Sequence, residues 1–397
     1  MLGDGGFMGA TKYIVAGRFI DGSGAGVQRG VFLAVQDDVI TDIGSAADLS
    51  ISDGDTVDDL SHCTILPALV DCSVALLQSA SVDSAVRQAA EEATLEGKAA
   101  ILKQHVRYCH CYGVLGLAVS DDMNRLMQQC QWEISCGNLV ALKIPAPLSG
   151  VRLKQNGESF ATGRFCKIAY SSNIDDGEKS FFQKDPEYLK ETLSHNAERR
   201  VVVANGKQAV SEALDAGCDA IEQGYGMGVE NLKRMVEEKV LWIPSVLRAK
   251  NSLDGVSSGG EVCCRFSLRY VAPGKQLPGA EAFWKKVLAE QLEQLRYARG
   301  IGVKTAVGTG AGGVGLLHGE SMVEEIKLFI KCGYSLEKAI CCASDTGARF
   351  FGMKRLGAIK VGSRATFLIT RGTVKQLPRK LSYLEGIYID GVPSKTY

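Results

Sequence analysis

The sequence lacks an excess of either charge, because 45 Lys and Arg residues balance 45 Asp and Glu residues. Without a field of one sign, binding to nucleic acid or to a charged membrane surface is not expected. No apolar run reaches the roughly 18–20 residues that a membrane span needs. The first residues contain no basic stretch followed by a long apolar core, so no signal peptide is expected and a cytoplasmic location is predicted.

The sequence also lacks a Cys-x-x-Cys pair, although it contains 13 cysteines. Their number is odd, they are scattered, and many lie in apolar runs. This pattern favours buried thiols in a reducing compartment over a disulfide framework. The triplet Cys109-His110-Cys111 has the wrong spacing for a zinc site and no second half, so no metal or other cofactor is predicted there.

Segments with strand and helix patterns alternate through the middle of the chain, which favours a parallel sheet. The predicted strands are residues 64–77, 114–120, 139–144, 165–171, 200–205, 220–223, 241–246 and 304–309. The predicted helices are residues 95–111, 186–198, 208–216, 229–238, 280–299, 321–331 and 336–343. Residues 248–279 show neither pattern. We expect this long segment, which follows a strand, to be a partly mobile lid.

The strand at 64–77 contains the frame Leu66, Pro67, Leu69, Val70 and Asp71. This frame resembles the "LPGLIDxHxH" segment of the amidohydrolase superfamily, in its imidazolonepropionase/prolidase-like branch. The N-terminal segments around "YIVAGRFIDGSG" and the "LGAIKVGSRATF" segment near the other end resemble the same family. The resemblance implies an α/β fold, a (β/α)8 TIM-like barrel at 64–355, with a composite β-sandwich built from residues 1–63 and 356–397.

The same resemblance places the family's metal ligands at the C-terminal ends of the barrel strands. Most of those positions carry side chains that bind metals weakly or not at all, whereas the motifs around them are intact. The positions are occupied by Ser73, Ala75, Lys167, Val203, Gln223 and Gly310. The lysine is carbamylated in part of the family, and the lost aspartate is the family's usual proton shuttle. We therefore predict a degenerate member of the family with no metal.

Each remaining candidate at the predicted barrel mouth has a structural interpretation beside the functional one. Lys167 is suited to Schiff-base chemistry or to pairing with a nearby carboxylate, and the pairing is favoured. His318 is expected to cap the helix that follows it rather than to catalyse. Asn205 and Gln223 either bind a ligand or satisfy each other, and Tyr225 lies beside them. The other histidines, at positions 62, 105, 110 and 195, are expected to have ordinary surface or packing roles.

Three hypotheses for function remain. The first is a non-catalytic binding or structural protein, a pseudoenzyme with the family's fold. The second is a hydrolase that acts on the C–N bond of a cyclic amide or an amino-acid derivative through an atypical site. The third is a metal-free lyase that uses Lys167. The sequence leaves open a small-molecule ligand at the mouth and assembly into a homo-oligomer.

Overall fold

A computed structural model describes residues 10–119, 147–148, 165–171, 185–194, 199–257 and 279–394. In these ranges no helix is long and apolar enough to cross a membrane. The strands are β1 (Lys12–Phe19), β2 (Gln28–Gln36), β3 (Val39–Ser45), β4 (Thr56–Pro67), β5 (Leu69–Val74), β6 (Val114–Val119), β7 (Pro147–Leu148), β8 (Phe165–Ala169), β9 (Arg199–Ala204), β10 (Ala220–Gln223), β11 (Leu241–Ile243), β12 (Phe367–Arg371), β13 (Leu384–Ile389) and β14 (Val392–Pro393). The helices are α1 (Ser84–Glu91), α2 (Leu95–Cys111), α3 (Pro186–Ser194), α4 (Lys207–Asp215), α5 (Gly228–Glu237), α6 (Val246–Ser257), α7 (Ala280–Ile301), α8 (Glu320–Lys331), α9 (Leu336–Cys342), α10 (Asp345–Phe350) and α11 (Leu377–Lys380).

The two ends of the chain form one seven-stranded sheet in the order β14-β13-β12-β4-β1-β2-β3. Strand β12 runs antiparallel to the end of β4, with Phe367 opposite Pro67 and Thr370 opposite Thr64. A separate apolar core fills this unit and includes Ile14, Phe19 and Ile65. The N- and C-terminal segments therefore share one sheet and one apolar core.

The parallel strands follow the order of a (β/α)8 barrel. Strands β7 to β11 form one parallel sheet, and β5 pairs with β6 in another. The segment before Gly310 joins the two, since Trp242 bridges Thr305 on one side and the Cys72 amide donates to the Val307 carbonyl on the other. Within each of these two sheets the strands follow chain order, and the segment before Gly310 lies beside both β11 and β5. Side chains between strands and helices are buried, each contributing about 1.5–3 kcal/mol when fully apolar.

The apolar run at 64–77 is two strands rather than the single strand predicted. Its first part ends β4 in the terminal sheet, and its second part is the first barrel strand, β5. The chain passes from one sheet to the other at Ala68. Pro67 ends the first ladder because it has no N–H to donate, and the Leu69 amide then donates to the Gly113 carbonyl beside β6.

The helix predictions hold closely, because the local signals are strong. The observed α2 has the predicted bounds, and the Thr94 side chain caps it by accepting a hydrogen bond from the Gly97 amide at 3.2 Å.

The predicted irregular segment at 248–279 is corrected in its first part, because residues 246–257 form α6. The rest of that proposed lid, up to residue 278, lies outside the described residues, as does the third predicted strand at 139–144. The described third strand is β7.

Candidate functional site

The ends of four barrel strands and the loop after residue 308 bring the candidate residues to one edge of the barrel. Parallel strands share a direction, so the C-terminal ends of β5, β8, β9 and β10 and the loop after residue 308 lie together. The site is therefore assembled from segments that are far apart in the sequence.

Ser73, Lys167 and Glu222 form a compact polar triangle at this edge. Lys167 Nζ lies 2.7 Å from Glu222 Oε2 and donates to Ser73 Oγ at 3.2 Å. Ser73 Oγ donates to Glu222 Oε1 at 2.8 Å. The Lys167 side chain is 15% exposed and that of Glu222 only 5%. Lys167 therefore pairs with a nearby carboxylate, that of Glu222, as the favoured interpretation of the sequence has it.

Asn205 and Gln223 satisfy each other, as one of the two sequence interpretations allowed. Asn205 Nδ2 donates to Gln223 Oε1 at 2.7 Å, and the Tyr225 amide donates to Asn205 Oδ1 at 3.0 Å. Gln223 has a φ of 69°, a left-handed conformation that is uncommon outside glycine. Two hydrogen bonds stabilise this backbone conformation, because the Gln223 carbonyl accepts from Trp242 Nε1 at 3.0 Å and from Gln291 Nε2 at 2.8 Å. Both side-chain amides are therefore held in fixed orientations.

Two tyrosines near the site point to other parts of the fold. Tyr225 Oη donates to the Ser245 carbonyl at 2.6 Å. Tyr170 is buried between the barrel and α4, and its hydroxyl donates to Glu212 Oε2. Burial, together with the Glu212 carboxylate, raises the pKa of Tyr170.

Ala75 and Gly310 contribute backbone rather than side-chain groups. The Gly310 amide donates to the Ser73 carbonyl at 2.8 Å, and the Ala75 amide donates to the Ala311 carbonyl at 2.8 Å. Gly310 has a φ of 66°, which most side chains adopt poorly. Val203 is half-buried beside Glu222, its register partner on β10, and offers no donor atom.

His318 does not cap α8, which corrects the prediction, because Gly319 is the N-cap and makes no side-chain cap. Its imidazole instead stacks on His105, with ring centroids 3.8 Å apart, and donates from Nε2 to the Ala75 carbonyl at 2.9 Å. His105 Nδ1 donates to the Leu76 carbonyl at 2.8 Å. Burial, aided by His105, lowers the pKa of His318 to about 3. The pair of rings fixes the loop after β5.

The other histidines have the ordinary positions expected, within the described part of the chain. His62 is exposed on β4, and His110 is buried at the end of α2, where its Nε2 lies 3.2 Å from Ser394 Oγ. His195 lies outside the described residues. The Cys109-His110-Cys111 triplet lies on a helix, and no cluster of three His, Cys, Asp or Glu side chains suited to a metal occurs among the described residues.

Two buried carboxyl groups support the frame of the site. Asp71 accepts from the Thr309 amide at 2.9 Å and from Thr309 Oγ1, which ties β5 to the last barrel segment. Burial raises the pKa of Asp71 to about 6 although these donors oppose it. Glu325 on α8 accepts from the Leu247 amide at 2.7 Å, and burial raises its pKa to about 8.

Sequence reasoning missed Glu222, which is the acid of the triangle. The available signal was a single acidic residue inside the buried strand Ala-Ile-Glu-Gln, because a buried carboxylate needs a cationic partner. It also placed Arg248 in an irregular lid, whereas Arg248 lies on α6. The Arg248 side chain lies close to the loop after residue 308, because a Cβ atom added at Gly313 would be 3.0 Å from Arg248 Nη2.

Comparison with known proteins agrees with this fold. Residues 203–394 match the amidohydrolase family. The structure of a Xaa-Pro dipeptidase with bound methionine in the active site has a TM-score of 0.76 at 21% identity, and the match covers 97% of this chain and 100% of that one. The structure of A. niger ochratoxinase has a TM-score of 0.77 at 15% identity, and the match covers 97% of this chain and 95% of that one. Molinate hydrolase has a TM-score of 0.74 at 16% identity over 98% and 96%. No curated protein sequence matches the chain.

Proposed function

We propose that this chain, which belongs to the amidohydrolase superfamily, is a metal-free member that binds a small molecule at the barrel mouth without hydrolysing it. The observation that carries the proposal is the Ser73–Lys167–Glu222 triangle. In it an ammonium group supplies the positive charge that a metal ion would bring to the ends of the strands.

The donor set argues against a metal at this edge. Ala75, Val203 and Gly310 have no side-chain ligand atom, and Gln223 is already bonded to Asn205 at 2.7 Å. Zinc sites use thiolate, imidazole or carboxylate ligands. Of these, only Glu222 is present in the triangle, and both of its oxygens face Lys167 or Ser73. We therefore derive no hydrolytic step that uses a metal.

The two catalytic alternatives differ in their support. The prolidase-like fold supports a C–N hydrolase, since relatives described as a dipeptidase and as molinate hydrolase share it. For the lyase, Lys167 would have to leave both Glu222 and Ser73 before its nitrogen could form an imine, which disfavours this reading. The hydrolase is therefore the second candidate.

Elemental analysis of the purified full chain tests the proposal. We expect far less than one zinc, iron or manganese per chain, and no change in melting temperature when a chelator is added, because no metal-binding free energy is linked to folding. About one metal per chain, removed by a chelator together with part of the stability, would favour the hydrolase. Release of an amino acid from Xaa-Pro dipeptides by the untreated protein would also contradict the proposal.

A reconstruction variant provides the converse test. Its five changes restore the family's ligand types on the intact frame: Ser73→His, Ala75→His, Val203→His, Gln223→His and Gly310→Asp. We expect this variant to fold with reduced stability, because Gly310 and Gln223 both have positive φ angles. We also expect it to bind zinc, whereas we expect none to bind to the parent chain. A folded variant without zinc uptake would show that the mouth no longer has the geometry of a metal site.

A further inference from the structure

A cavity lies at the opposite end of the barrel strands from the candidate site. Its volume is about 870 Å³, within the range of small-molecule sites. The first residue of β9, the residues just before β10 and β11, and the start of the last barrel segment line it, together with parts of α9 and α10. It shares no lining residue with the Ser73–Lys167–Glu222 triangle.

Positive charge is concentrated in this cavity, although the whole chain has none in excess. Six basic residues and three acidic residues line it. Each acid already has a partner: Asp219 pairs with Arg200, Glu238 with Arg234 and Asp345 with Arg349. Among the described residues, the remaining basic side chains have no carboxylate partner. These are Arg199, Lys239, Arg299, Lys304 and Lys338.

Compensation of helix dipoles explains only part of this charge. Helices end at this face, and cations near a helix C-terminus are stabilising. That accounts for Arg299 in the last turn of α7 and for Lys239 just after α5. It does not account for Arg199 at the start of β9 or for Lys304 in the segment before Gly310, where isolated bridges replace the predicted strand at 304–309. Lys338 lies in the first turn of α9, where the dipole disfavours a cation.

Lys239 has a conformation that normally favours glycine. Its φ is 59°, and it follows α5 at the position where a helix commonly ends in a left-handed residue. The neighbouring helices α4, α7 and α8 are followed by glycines with φ angles of 77°, 87° and 89°. A lysine therefore replaces the less strained residue at the rim of the cavity.

We propose that this cavity binds a small oligophosphate, either inorganic or as part of a nucleotide. Several Lys and Arg side chains around a concave site of this size suit an anion with several negative charges. The site is independent of the proposed function at the barrel mouth. Arg199 is held in place for such a role, because its Nε donates to the Phe350 carbonyl at 3.2 Å and its guanidinium lies 5.3 Å from the Phe350 ring.

Calorimetric titration of the full chain with tripolyphosphate, pyrophosphate, orthophosphate and ATP at low salt tests this inference. We expect tripolyphosphate to bind at least tenfold more tightly than orthophosphate, and binding to weaken as salt is added. If ATP binds better than tripolyphosphate, the natural ligand carries a nucleoside; equal affinity indicates that the phosphates alone are recognised. Either result supports the site.

Variants separate binding from folding. Lys239→Gly should raise the melting temperature, because glycine adopts the left-handed angle freely, yet weaken tripolyphosphate binding at least fivefold. Lys304→Gln should weaken it similarly. The control Lys360→Gln, an exposed lysine next to the terminal sheet, should change affinity less than twofold. No binding of tripolyphosphate at millimolar concentration, or binding that both cavity variants leave unchanged, would overturn the proposal.

Discussion

The ion pair between Lys167 and Glu222 should be strongly coupled if it has replaced a metal as the organising charge of the barrel mouth. Both side chains are largely buried, at 15% and 5% exposure, so solvent screens their interaction weakly. Removing one partner leaves a buried charge without compensation, which costs about 3–5 kcal/mol, whereas replacing both by apolar side chains is often neutral or stabilising. We therefore expect Lys167→Met and Glu222→Met each to lower the free energy of unfolding by about 3–5 kcal/mol. The double variant should be more stable than either single variant.

Urea unfolding followed by tryptophan fluorescence measures these effects, because Trp242 is buried against the Gln223 carbonyl. Midpoints and slopes are compared across the double-mutant cycle. The matched control is Lys190→Met in the exposed pair with Glu187, where the side chains are 49% and 78% exposed. An exposed pair of this kind contributes about 0.5 kcal/mol or less. If the two barrel substitutions simply add, with no coupling above about 0.5 kcal/mol, Lys167 and Glu222 do not act as a unit and the reasoning is refuted.

Three further predictions concern buried groups near the site. Burial raises the pKa of Glu325 to about 8 from its ordinary 4.5, so the free energy of unfolding should fall by about 1.4 kcal/mol per pH unit as pH rises between these values. Glu325→Gln should remove this dependence on pH, as urea titrations at several pH values would show. If the free energy of unfolding of the variant falls with pH as steeply as that of the parent chain, the prediction is wrong. For His318, whose pKa is lowered from 6.5 to about 3, stability changes with pH in the opposite direction: its contribution is fully present above pH 6.5 and is lost as pH falls. The variant His318→Gln should therefore be less sensitive to acid than the parent chain, as melting temperatures at pH 7 and pH 5 would show. Gly310→Ala should lower the free energy of unfolding by about 1 kcal/mol, because φ is 66° at this position. The control Gly26→Ala, at an open loop position, should be nearly neutral. Equal melting temperatures for the two variants would show that alanine is not strained at position 310.

The local pattern of the sequence was sufficient wherever one segment decides its own structure. Helix α2 has its predicted bounds because an N-cap threonine and a run of helix-compatible residues act within one stretch of chain. The strand predictions for β9 and β10 are close for a similar reason, since short apolar segments between turn residues have few alternatives. The order of strands and helices therefore indicated the fold before any contact was known.

Contacts between distant segments were beyond such reasoning in several places. The run at 64–77 is mostly apolar along its whole length, so its pattern does not show that its first part pairs with β12 and its second part with β6. His318 stacks on His105 rather than capping α8, and that contact joins the loop before α8 to helix α2, far away in the chain.

The sequence by itself determined the superfamily frame, the alternation of strands and helices, and the identity of the side chains at the ends of the barrel strands. Only the tertiary structure decided what those side chains do together. Lys167 and Ser73 were candidates from sequence, but Glu222 completes the triangle from a third strand. A buried amine and a buried carboxylate stabilise each other only at contact distance, and closure of the barrel brings strands separated by long stretches of chain to that distance.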